Sequence, residues 1–368
     1  MQRSLLSHLL LVGGVSCLLA FSSADARGAD RDEKKDKKEK TYEPVKFDTY
    51  DQVELRGRWY ASPKGKKAPA VLILPKVGGD IGQDGWDRLA EALKEKGYSV
   101  LLFDYRGHGG SKSVSPDFWK FPNNNQLPNA AKNPPKESID LKDFPKTYYP
   151  MFLNDIAAAR LCLDRKNDAG ECNTANLIVI GAEDGANLGM AWLYSEWSRY
   201  QINAGGKPSA TSEGADTVCA IWLSFKPKLG GIQPDRMGDW FKLIGRDKKV
   251  PMYFIYGDGD DASKQVAEYY VEQIKANKKG HEHTGTKAIE EAGKVTGSEL
   301  LQKNLKTQAQ ILKYIDNVME DRGPPTEWSK RDVESKSYLW SFGGGRPIPA
   351  KLKDEKTLNL LPLAAILR

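Results

Sequence analysis

The sequence predicts an α/β protein built on a doubly wound, mainly parallel sheet. Three observations lead there. Short apolar runs at 70–74, 99–103 and 177–180 have the length and branching of strands buried on both faces. Amphipathic stretches with helical spacing alternate with them. Residues 70–103 make strand, helix and strand within about thirty residues, the length of a right-handed βαβ unit.

The first segment stands outside that pattern. Arg3 gives a short positive start, residues 5–21 are apolar, and Ala24, Asp25 and Ala26 offer a small-residue cleavage site. These features predict a signal peptide over 1–26, cut after Ala26. An uncleaved anchor is the alternative, weakened by His8 and the glycines and serines in the run. Cys17 raises lipidation, but Gly14 stands where a lipoprotein signal has Leu. The expectation is an exported protein, periplasmic, cell-envelope or extracellular, without a transmembrane segment after cleavage. Residues 27–42 are charge-rich and cannot bury a core, so they read as a disordered linker.

The folded domain is expected over 43–320. Residues 53–60 alternate like a half-exposed strand. After the strand at 70–74 comes a turn through Pro75, Lys76 and Val77. Trp86, Leu89, Ala90 and Leu93 then lie on one helical face, which Gly97 caps. The strand at 99–103 runs into Asp104 and the loop that ends at Ser111. Residues 116–150 form a long insertion rich in Pro and Asn, placed to act as a lid over the carboxyl edge. Helices follow at 152–163 and 186–200, on either side of the strand at 177–180. Strands at 218–225 and 251–256, a helix at 266–274 and a longer one at 300–319 complete the repeat. Residues 321–368 are a tail rich in Pro, Gly and aromatics, part of which should pack on the domain.

Composition narrows the function. The hydrophobic share of 40% supports a sizeable core. The net charge of +6 is modest, and basic runs such as Lys34-Lys35 and Lys37-Lys38 sit in the linker, so no nucleic-acid groove is implied. Cys162, Cys172 and Cys219 show no Cys-x-x-Cys spacing, and no metal or cofactor is expected. Cys162 and Cys172 could close a short disulfide loop or stay as buried thiols.

Residues 177–189 carry the strongest functional signal. A buried strand leads into Gly181-Ala182-Glu183-Asp184-Gly185 and then a helix, the setting of a nucleophile elbow. With residues 97–111, which contain Asp104-Tyr105-Arg106-Gly107-His108-Gly109-Gly110-Ser111, the chain resembles the α/β-hydrolase superfamily. The nearest members are dienelactone hydrolase-like and serine aminopeptidase-like. The resemblance implies the α/β-hydrolase fold over roughly residues 50–315 and a triad in the order nucleophile, acid, histidine. Glu183 holds the nucleophile position. The acid maps to Asp260, with Asp258 and Asp261 as local competitors, and the histidine to His283, with His281 second. The oxyanion donors would be the N–H groups of Val77 and Asp184. Where the family has His-Gly, this chain has Pro75-Lys76.

A carboxylate attacking an ester makes an anhydride that tends to collapse back to reactants. Ser111 and Ser224 lie in other loops and are poor substitutes. The expectation is a catalytically degenerate protein acting by binding or as an envelope component, its ligand or partner unknown. The site would be an ion-paired remnant or an anionic pocket for a cationic ligand. The alternative is an active hydrolase using Glu183 with Asp260 and His283.

Overall fold

Ten successive buried residues, Asn173–Ala182, make the strand around which the sheet is laid. The computed structural model describes residues 41–83, 85–132, 135–202, 208–230, 234–275, 285–331, 333, 339–341, 348–351 and 357–362. The signal peptide expected at 1–26 and nearly all of the linker lie outside the described residues. In chain order the elements are β1 (Glu43–Asp48), β2 (Val53–Tyr60), β3 (Pro69–Leu74), α1 (Trp86–Lys96), β4 (Ser99–Phe103), β5 (Ser113–Val114), α2 (Leu153–Asp168), β6 (Asn173–Ala182) and α3 (Asp184–Ser198). Then come β7 (Tyr200–Ile202), β8 (Pro208–Ser212), β9 (Thr217–Leu223), α4 (Pro234–Phe241), β10 (Met252–Gly257), α5 (Asp261–Lys275), β11 (Lys287–Glu291) and α6 (Thr307–Arg322). Three tail strands, β12 (Leu339–Ser341), β13 (Ile348–Lys351) and β14 (Thr357–Pro362), form a small sheet of their own.

The main sheet runs β1-β2-β4-β3-β6-β9-β10-β11, with β5 on β2. Every neighbouring pair from β4 to β11 is parallel, while β2 is antiparallel to both β1 and β4. This is the α/β-hydrolase arrangement. Successive side chains of β6 serve opposite faces, as a strand requires. Ile178 and Ile180 join a core with Leu89 of α1 and Ile315 of α6. Leu177 and Val179 join the other core, with Ile156, Leu188, Phe241 and Val271 from α2 to α5. The chain steps one way from β3 to β4 and the other way from β6 to β9, so the order reverses between β3 and β6. Ligands of such sheets bind in that crevice, at the carboxyl ends of the strands. Pro75 and Glu183 both stand there, each one residue beyond its strand.

Three departures from the sequence reading have physical causes. β11 has no apolar run, because an edge strand with exposed and half-buried positions needs none. The long helix expected at 300–319 is a short 3-10 turn, Gly297–Leu301, followed by α6. The 116–150 stretch is docked, with Phe118, Trp119, Leu127, Ile139, Phe144 and Tyr148 all buried. Its Leu141 packs against Gly78 and Gly107, in the loops that follow β3 and β4.

A buried ion network fastens that stretch. Arg106 donates to Asp51 at 2.6 Å and to Asp155 at 2.7 Å, and reaches the Tyr148 hydroxyl at 2.9 Å. Tyr148 donates to Asn124 at 2.5 Å, and Asn124 donates to Asp51 at 3.1 Å. Elsewhere, Cys162, Cys172 and Cys219 are free buried thiols, so no disulfide joins the nearest pair. Burial pushes Cys162 up to about 11. The tail folds back through Thr326, whose carbonyl accepts from Asn173 and Asn176 at 2.8 Å each. No helix among the described residues is long and apolar enough to cross a membrane.

Removing the guanidinium would leave Asp51 and Asp155 buried and uncompensated. Arg106→Leu should therefore cost about 3–5 kcal/mol, read as a lower urea midpoint. An unchanged midpoint would contradict the role given to this network.

Candidate functional site

The site is organised by the turn between β6 and α3. Glu183 has φ 49° and ψ −122°, a strained backbone that lifts its side chain above the sheet. A Cβ on Gly185 would sit 2.1 Å from the Pro75 carbonyl oxygen, and one on Gly181 would sit 2.7 Å from Ala186 Cα. Only glycine permits that approach, so the sequence pattern has a steric cause.

The Glu183 carboxylate lies between two ammonium groups. Lys76 Nζ is 3.8 Å from Oε1 and Lys226 Nζ is 3.4 Å from Oε2. Lys226 follows β9 and is held by Asn187 of α3, which donates to the Lys226 carbonyl at 2.8 Å and accepts from its N–H at 3.2 Å. Gly297 presses on the same carboxylate from the loop after β11, since a Cβ there would fall 2.3 Å from Oε1. Burial raises the neighbouring Asp184, and the charge of Glu183 adds to this, while Lys226 and Lys146 partly offset it. Burial and then Asp184 likewise raise Tyr149. At the turn, Glu183 is thus paired with two lysines, Lys76 and Lys226. Lys146, Lys226 and Asn187 escaped the sequence reading because they come from separate segments that only the fold assembles.

The remaining expected residues fall as follows. Among the described residues the N–H groups of Val77 and Asp184 have no hydrogen-bond partner, so the oxyanion-position donors are not spent. Asp260 follows β10 at the carboxyl edge, where its Oδ1 caps α5 by accepting from Ser263 N–H at 3.3 Å. Its Oδ2 is buried without a partner among the described residues. Asp258 and Asp261 are exposed. His281 and His283 lie outside the described residues. Their described neighbour Gly285 lies at the amino edge of the sheet, beside Pro251 and Val318, before β11 begins. The loop at the carboxyl end of β11, residues 292–296, contains no histidine.

His108 is the single histidine among the described residues, and it is committed elsewhere. Its Nε2 accepts from Gly78 N–H at 2.7 Å, and its Nδ1 lies 2.8 Å from the Arg106 carbonyl, to which it donates. Asp104 accepts from Ile81 N–H at 3.0 Å and Gly110 N–H at 3.1 Å. Ser111 donates to the Asp104 carbonyl at 2.7 Å. The polar residues of the 104–111 segment therefore hold the loop that carries Lys76 and Val77. Among the described residues no cluster of three or more His, Cys, Asp or Glu could hold a metal ion. Ser224 shares a positive φ of 49°, yet its buried hydroxyl has no partner among the described residues and hence no base.

No family model matches the sequence. An uncharacterized protein of Mycobacterium tuberculosis is 42% identical over 67 residues, covering 18% of this chain and 23% of that one. A thiohydrolase of Aspergillus aculeatus is 36% identical over 80 residues, covering 22% of this chain and 24% of that one. The chain thus matches about a quarter of the length of these curated relatives. Among solved structures, an esterase of Pyrococcus furiosus superposes with a TM-score of 0.49 at 15% identity, over 76% of this chain and 91% of that one. A dienelactone hydrolase from Anabaena variabilis gives 0.47 at 12% identity, over 77% and 99%.

Burial lowers the His108 pKa below its usual value near 6.5. The neutral ring is the folded form, so its contribution to stability is complete above about pH 6.5 and is lost as pH falls through the folded value. An NMR titration should place the His108 imidazole below the histidines of the denatured chain. A value at or above theirs would contradict the Gly78 N–H to Nε2 bond.

Proposed function

We propose that this chain is an exported α/β-hydrolase-fold protein that acts by binding and has lost ester hydrolysis at the elbow. The observation that carries the reading is the Glu183 carboxylate between Lys76 and Lys226. Each ammonium draws electron density from the oxygen it faces and competes with any electrophile for it. Glu183 is also one methylene longer than the aspartate of carboxylate-nucleophile enzymes on this fold, which displaces it from attack geometry. A serine in its place would need a base to take its proton. The one described histidine is already bonded on both nitrogens.

Lys76 and Lys226 offset the charge of Glu183 in this cluster. A polar ligand with acceptor oxygens suits it, since Val77 and Asp184 still have N–H groups to donate. Export rests on the sequence, through Arg3, the apolar stretch 5–21 and the small residues before Arg27.

Hydrolysis of a short-chain activated ester tests the first part. The wild type should stay at background, Glu183→Gln should change nothing, and Glu183→Ser should gain less than about a hundredfold, within what a positioned general base alone supplies. Wild-type turnover that Glu183→Gln abolishes would instead favour an active hydrolase using Glu183 with Asp260 and His283.

Mass spectrometry of the protein recovered from cells tests the second part. The mature chain should begin near Arg27 or Gly28. An intact Met1 on exported protein would contradict it.

A further inference from the structure

A second recess lies at the opposite, amino edge of the sheet. It has a volume of about 380 Å³ and is walled by the end of α3, the starts of β9 and β10, and the last turns of α6. That volume falls in the range of small-ligand sites, about 300–1,000 Å³. Its apolar walls include Trp197, Val218 and Val318, and its cations are Lys248, Lys249 and Arg322.

The charges are unbalanced. Among the described residues Asp321 is the one carboxylate in the lining, against three cations. None of the three makes an ion pair among the described residues. Lys248 Nζ stands 5.4 Å from the Trp197 ring centroid, and Arg322 makes a long 3.4 Å bond to Thr326 Oγ1. Lys249 has φ 58°, a left-handed backbone that favours glycine or asparagine over lysine. The Trp197 indole N–H is buried with no partner among the described residues.

We propose that this amino-edge recess binds a small planar aromatic carboxylate. The ring would lie against Trp197 and the valines, and the carboxylate would take the unpaired charges of Lys249 and Arg322. Lys248 already lies over Trp197, so a cation is in place beside a bound ring. The site shares no residue with the Glu183 cluster and does not depend on the function proposed for it.

Calorimetric titration of the mature protein with 2-naphthoate and its neutral analogue 2-naphthamide tests this. The carboxylate should bind at least about tenfold more tightly than the amide, and more weakly as salt is raised. Lys249→Glu and Arg322→Ala, both changes of exposed side chains, should each weaken naphthoate about tenfold. Glu183→Gln should leave binding unchanged. No binding, equal affinity for the amide, or binding lost in Glu183→Gln and kept in Lys249→Glu would each overturn the proposal.

Discussion

The approach of Gly185 to the carbonyl oxygen of Pro75 fixes everything else at the carboxyl edge. It lets α3 start directly above the reversal between β3 and β6, and it forces residue 183 into a backbone few residues adopt. Any side chain at 183 is therefore presented at the crevice where this fold places its chemistry. A protein that kept the elbow only as a turn would have no need to present a charged group there. Here the presented group is a carboxylate, and Lys76, Lys226 and Gly297 gather around it.

The 104–111 segment is held by structural bonds of its own. Asp104, Arg106, His108 and Ser111 are all engaged in structural bonds, to loop N–H groups, to buried carboxylates and to backbone carbonyls. Their buried polar groups must stay paired whether or not a substrate is ever turned over. The segment therefore supports the fold and the position of the loop that carries Lys76 and Val77. Asp260 is engaged on one side only: its Oδ1 caps α5, and its Oδ2 is buried without a partner among the described residues.

Much of the fold was legible because buried parallel strands must be apolar throughout. The runs at 70–74, 99–103 and 177–180 became β3, β4 and the centre of β6. The elbow was legible because steric crowding leaves only glycine at 181 and 185. Edge strands carry no such constraint, and β11 went unread. That omission mattered, because the position of β11 sets Gly285 at the amino edge, ahead of the strand. The pairing of Glu183 with Lys76 could be read from the sequence, whereas Lys226 was illegible for another reason. Lysine is common on any surface, and nothing local to Lys226 says that Asn187 will hold it beside a carboxylate.

The claim that Glu183 is an ion-paired group and not a nucleophile has a direct chemical test. The protein would be incubated in H₂¹⁸O with a short-chain activated ester, and separately with a haloalkane, then digested for mass spectrometry of the peptide containing Glu183. A carboxylate that attacks forms a covalent intermediate, and water that cleaves it at the glutamyl carbon leaves one of its oxygens in the side chain. The account predicts no ¹⁸O in Glu183 with either substrate. Label in that carboxylate, dependent on substrate, would contradict it.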